Sequence, residues 1–98
     1  MDHIDSGETE IVGKWVLKGS EIDGDEGCKR VEKLVGGYLQ HVAFSPQFGA
    51  WETLFRDPTD GRYWERTYYE GHMHGGGPPS LRVLDKQTAE QKYGLSLP

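Results

Sequence analysis

The sequence predicts an α+β fold: a small antiparallel sheet of about five strands, one longer helix near the N-terminal third and a short C-terminal helix. Three observations carry this. Apolar residues recur at helical spacing from Cys28 to Tyr38. Two alternating segments flank an aspartate-proline turn at residues 57–61. A second, shorter helical pattern follows Asp85 and stops at Gly94. The expected order is β-α-β-β-β-β-α, with residues 1–9 frayed and residues 10–95 forming one domain.

The first strand is expected in EIVGKWVLKG, residues 10–19, with Val12, Trp15 and Leu17 apolar and Gly13 a candidate bulge. SEIDGDEG then reads as a turn, in which Asp23 or Asp25 caps the next helix and Glu26 suits its positive end. Cys28, Val31, Leu34, Val35 and Tyr38 form one apolar helical face, with Lys29, Arg30, Glu32 and Lys33 outside it. Gly36-Gly37 offers a left-handed stop, yet the periodic Tyr38 argues that the helix runs on, so this boundary is open. HVAFS is the next strand and Pro46 ends it.

WETLFRDPTDGRYWERTYY predicts a hairpin. Pro58 presets the φ of a turn residue, Gly61 accepts a positive φ, and Asp57 and Asp60 complete the turn. Alternation sets Trp51, Thr53 and Phe55 against Glu52, Leu54 and Arg56, and neither set is purely polar, so both sheet faces should be partly covered. LRVL is the last strand. In DKQTAEQKYG, Asp85 is the N-cap, Ala89 and Tyr93 point inward and Gly94 ends the helix.

Charge separates the chain. Residues 1–26 hold eight acids and two lysines, whereas the remainder holds eight acids and nine bases, so the net charge of −5 comes from the first quarter. Such a balance disfavours nucleic acid, which needs phosphate neutralisation, and attracts basic proteins. No run of about 18 apolar residues is present, which predicts no membrane span. The acidic start lacks a basic and then apolar leader, and Cys28 stands alone, so the expected compartment is the reducing cytoplasm.

GHMHGGGPPS, residues 71–80, is open to three chemistries. His72 and His74 share a side in an extended segment, but zinc needs three or four protein ligands and no second cluster has the right spacing. Gly75, Gly76 and Gly77 would suit an anion nest, but no Walker lysine follows. The His-Gly-Gly-Gly run of some lipases needs a Gly-x-Ser-x-Gly elbow, absent here. The stretch therefore reads as architectural: Pro78 restricts Gly77, and Pro78-Pro79 stiffen the entry to the last strand. No metal, cofactor or catalytic residue is expected. A metal-assisted enzyme built on His72 and His74 is the alternative.

Trp51, the run Asp57-Pro58-Thr59-Asp60-Gly61-Arg62-Tyr63-Trp64-Glu65, the block His74-Gly75-Gly76-Gly77-Pro78-Pro79 and Tyr93 resemble the immunity protein 27 family of bacterial polymorphic toxin systems. Gly13-Lys14-Trp15 and the helix with Cys28 and Leu34 fit as well, so the resemblance spans about residues 9–94. Gly36-Gly37-Tyr38 departs from the continuous helix expected of the family. The resemblance implies a cytosolic antitoxin that neutralises a cognate toxin by stoichiometric binding, without catalysis. The toxin is expected to be a basic domain, such as a nuclease, and the chain itself a monomer or weak dimer. Glu21, Asp23, Asp25, Glu26, Tyr69, His72 and His74 are the residues expected to meet it.

Overall fold

The computed structural model describes residues 3–68 and 77–98. Its centre is a five-stranded antiparallel sheet. The strands are β1 (Glu10–Val12), β4 (Gln40–Ser45), β5 (Gly49–Arg56), β6 (Tyr63–Tyr68) and β7 (Pro79–Leu84), in the order β1-β7-β6-β5-β4. Strands β2 (Trp15–Lys18) and β3 (Glu21–Gly24) form a separate two-stranded ribbon. Helices α1 (Glu26–Gly37) and α2 (Lys86–Tyr93) complete the α+β fold.

The sheet is the middle of three layers. On one face, Val31 and Leu34 of α1 pack with Phe55, Trp64, Leu81 and Ile11. On the other, Ala89 and Tyr93 of α2 pack with Leu54 and Tyr63. Strand alternation assigns the two groups: Phe55 opposes Trp64 across β5 and β6, while Leu54 opposes Glu65. Both faces are thus covered in part, as the mixed alternation of residues 51–69 predicts. The first nine residues, expected to fray, supply Ile4 to the α1-side core. Arg30 holds the Glu8 carboxylate with two hydrogen bonds of 2.7 Å. Arg62 donates to the backbone carbonyls of Asp5 and Glu8.

Two local expectations need correction, and one boundary left open by the sequence is settled. The segment 10–19 is two strands, not one. Gly13 lies so close to the sheet and helix that a Cβ there would sit 2.4 Å from the Pro79 carbonyl oxygen and 2.6 Å from Cys28 Sγ. The chain leaves the five-stranded sheet at that contact. SEIDGDEG is not merely a turn, because Glu21–Gly24 pairs with Trp15–Lys18. The tight turn sits one step earlier, where Gly19 has φ 64°. Finally, Gly36-Gly37 closes no left-handed cap: both residues belong to α1, and Tyr38, in the right-handed region, is the C-cap. Tyr38 and Leu39 N–H both donate to the Leu34 carbonyl, which ends the helix without a positive φ.

α2 ends in the other way, with Gly94 at φ 67° donating its N–H to the Glu90 carbonyl. Between β5 and β6, Asp57 N–H donates to the Arg62 carbonyl and Gly61, at φ 77°, returns its N–H to the Asp57 carbonyl, both at 2.8 Å. The buried Asp57 carboxylate accepts from Tyr38 Oη at 2.7 Å and from Thr59 N–H at 2.8 Å. That hydrogen bond to Asp57 raises the Tyr38 hydroxyl above its ordinary pKa.

Beneath α2 lies a polar network around the buried Glu65. Lys92 Nζ donates to Glu65 Oε2 at 2.7 Å and to Glu52 Oε2 at 2.9 Å, and Tyr93 Oη donates to Glu65 Oε2 at 2.8 Å. Glu65 is fully buried, so this ammonium is what makes its burial tolerable. Burial works against the Lys92 charge, but the two carboxylates more than offset it, and its pKa rises. Burial followed by the Glu65 hydrogen bond pushes the Tyr93 hydroxyl far up, so it stays a donor.

Two predictions follow from these contacts. Glu65 is the buried member of the pair, so Lys92→Met, which strands its charge, should cost about 3 kcal/mol. Adding Glu65→Leu should recover a large part of that loss in urea unfolding; a double variant no better than the single would refute the pairing. The second concerns acid. Arg30 draws the Glu8 carboxyl from its ordinary 4.5 down to about 2. Because the folded value is the lower one, this contact contributes fully above pH 4.5 and is lost as pH falls toward 2. Glu8→Gln should therefore narrow its stability deficit against the parent as pH drops through that window, measured by thermal unfolding.

Candidate functional site

The acids expected to meet a partner are gathered by one clasp. Asp25 precedes α1 and caps it: its Oδ1 accepts the Cys28 N–H at 2.9 Å. The same oxygen accepts the Lys14 N–H at 3.1 Å, while Asp25 N–H donates to the Lys14 carbonyl at 2.9 Å. One side chain thus ties the root of the ribbon to the start of the helix. The Cys28 and Lys14 N–H groups together hold the Asp25 carboxyl below the usual carboxylate range. Cys28 is buried in this joint, and its thiol donates to the Lys14 carbonyl at 3.3 Å. Burial pushes that thiol's pKa up, which keeps it an unreactive donor.

Gly13, Gly24 and Gly27 make the joint possible. A Cβ on Gly24 would lie 2.8 Å from Cys28 Cβ, and one on Gly27 would lie 2.4 Å from the Val12 carbonyl oxygen. Backbone and helix therefore meet where no side chain fits.

From this root the ribbon projects Glu21 and Asp23, while Glu26 opens α1. Glu21, Asp23 and Glu26 are exposed, and Asp25 is half-buried. Asp23 Oδ1 accepts the N–H of Gly24 at 2.8 Å, and Glu26 is 3.9 Å from Lys29. Asp25 thus serves the fold directly, whereas Glu21, Asp23 and Glu26 keep their carboxylates at the surface.

The sequence places Trp15 and Leu17 among the apolar residues of one first strand and assigns them no face. The structure places them outside. Leu17 and Ile22 are cross-strand partners and each is 72% exposed; Trp15, opposite Gly24 on the same face, is 50% exposed. Val16 and Asp23 form the pair on the other face. The signal lay in the sequence as W-V-L against I-D-G around a four-residue reversal, a short hairpin pattern.

A second open surface lies over β4 and β5, where α1 does not reach. Phe44, Phe48 and Trp51 are each about half exposed. Trp51 meets Tyr68 edge-on at 5.3 Å, the Arg66 guanidinium stacks 5.2 Å from Tyr68 and 5.8 Å from Phe55, and His41 packs 4.6 Å from Phe44. Aromatic residues and arginine are the types that anchor interfaces. The alternation of residues 51–55 assigned Trp51 a face but could not say that the face is uncovered.

Tyr69, His72, His74, Gly75 and Gly76 lie outside the described residues. Gly77 and Pro79 are buried, and Pro79 opens β7 opposite Tyr68 while its carbonyl accepts the Gly13 N–H at 2.9 Å. Among the described residues no three His, Cys, Asp or Glu side chains come together as a metal group, and no helix is long and apolar enough to cross a membrane.

These features define a class: a small α+β protein with an acid-bearing apolar ribbon standing beside a two-sided sheet. The family follows from the sequence itself. The model of the immunity protein 27 family matches residues 17–85 of the 98, and the chain belongs to that family. The match runs from the ribbon through strands β4 to β7 to the start of the last helix. No curated protein and no solved structure matches it.

The clasp makes a direct prediction. Asp25→Ala removes the cap and the ribbon's tie together, and should lower the unfolding midpoint by roughly 4–8 °C, as loss of a helix cap does in a domain of this size. Asp25→Asn, which keeps an acceptor oxygen, should lose less. Equal losses for the two would assign the effect to charge alone.

Proposed function

We propose that this protein neutralises a bacterial toxin domain by tight one-to-one binding in the cytoplasm, with no chemistry of its own. The observation that carries this is membership of the immunity protein 27 family across the ribbon and sheet. The charge pattern supports a basic toxin, such as a nuclease, whose own site must attract phosphate: the first 26 residues hold the whole excess of negative charge. Glu21, Asp23 and Glu26 steer the encounter, because exposed charges raise association rates more than they add affinity. Asp25 contributes its charge as well, from within the clasp. Tyr69, His72 and His74 belong to the same proposed contact set.

Co-expression tests the reading. The protein should restore growth to cells making the toxin domain encoded by the neighbouring gene; failure to restore growth with both proteins present would overturn it. Steering has its own measurement. The triple variant Glu21→Gln, Asp23→Asn, Glu26→Gln should slow association with an inactivated form of that domain about tenfold at low salt and flatten its salt dependence, with dissociation little changed. An unaltered on-rate would remove the role.

A further inference from the structure

We infer that the cavity between the last cross-strand row of the sheet and the start of α2 binds a small phosphate monoester. Strand register builds this cavity. Arg56 lies opposite Tyr63, and Tyr63 opposite Leu84, so the three form one row on the α2 side of the sheet. Asp85 follows Leu84 directly and caps α2, whose first residue is Lys86. Arg56, Tyr63, Leu84 and Lys86 line a cavity of about 410 Å³. That volume lies in the range of small-ligand sites, about 300–1,000 Å³.

Two cations in this wall are unspent. Arg62 also lines it, but its guanidinium is taken by Asp60 and by the carbonyls of Asp5 and Glu8. Arg56 makes one hydrogen bond, to Gln40 Oε1 at 3.5 Å, and among the described residues neither Arg56 nor Lys86 has an ion pair. Gly61 keeps the Arg56 fork clear, because a Cβ there would come within 3.4 Å of Arg56 Nη2. Asp85 is the acidic side chain of the wall, and its carboxylate accepts the Thr88 N–H at 2.7 Å as the helix cap. A guanidinium fork and an ammonium on one space suit a doubly charged phosphate group better than a single carboxylate. The cavity is larger than a phosphate, and Tyr63 and Leu84 give it an apolar wall, so the group comes on an organic body. A nucleic-acid strand is disfavoured, because the chain as a whole carries a net charge of −5. A monoester is small enough to feel chiefly the cations beside it.

Calorimetry on the whole chain at low salt tests this, with adenosine 5′-monophosphate and glucose 6-phosphate as the probes. At least one should bind one-to-one with a dissociation constant below about 1 mM, and should shift the Gly61 and Lys86 amide resonances. The tighter of the two tells a nucleotide from a sugar phosphate. Adenosine and glucose should not bind, and inorganic phosphate should bind more weakly than the better ester. Arg56→Gln with Lys86→Gln should leave the unfolding midpoint near the parent's and weaken binding at least about tenfold. Lys29→Gln with Lys33→Gln removes the same charge from the outer face of α1 and should change affinity less than about twofold. Failure of both esters to saturate the protein would overturn the inference. Equal weakening by the two double variants would do so as well, since net charge alone would then explain the binding. A single-stranded oligonucleotide that binds more tightly than either ester would give the site to nucleic acid and overturn it too.

Discussion

The fold turns on one carboxylate. Asp25 accepts N–H groups from Lys14 and Cys28 with a single oxygen, and so joins the end of one element to the start of two others. Local geometry follows from it. A helix N-terminus has unpaired N–H groups that need an acceptor, and a ribbon that leaves a sheet needs a fixed root. One side chain meets both needs only if the backbones come very near, and the glycines at 13, 24 and 27 permit that nearness. The placement of α1 over β7 and β1, and the course of the ribbon away from the sheet, are the two outcomes of this joint.

The sheet interior shows a second kind of economy. Apolar residues of α1 and α2 seal its two sides, but one side also contains Glu65, Glu52 and Lys92. A buried ion pair is seldom a net gain over apolar packing, because desolvation opposes it. What it does supply is direction. Lys92 reaches two carboxylates on neighbouring strands and Tyr93 reaches one of them, which sets the rotation of α2 on the sheet.

Much of this was legible in the residues. The helical stripe from Cys28 to Leu34, the strands on either side of residues 57–61, and the helix between Asp85 and Gly94 all read directly, because each has its own periodicity and its own stop signal. The ribbon did not. Its four-residue strands are too short for alternation to stand out, and the apolar residues of 12–17 read as one continuous first strand. Only the third dimension reveals that Gly13 lies against Pro79 and Cys28 and that the chain must change course there. The same holds for the end of α1. Two glycines announce a left-handed stop, but Tyr38 is held by Asp57 and Thr59, a tertiary contact that carries the helix through both of them. For the surface, composition identified the acids, but exposure of Trp15, Leu17 and Ile22 depends on what fails to cover them, and no local pattern records that.

The edge strand β1 has a temporal consequence. Its partner is β7, and Arg62, from the turn before β6, grips the carbonyls of Asp5 and Glu8. During synthesis this segment must therefore wait until β6 and β7 have left the ribosome before its neighbours exist. A waiting strand with a bare edge invites aggregation, and charged residues are the usual guard against it. Asp5, Glu8 and Glu10 stand beside Ile4 and Ile11, the placing of charge next to apolar residues that guards an unpaired edge.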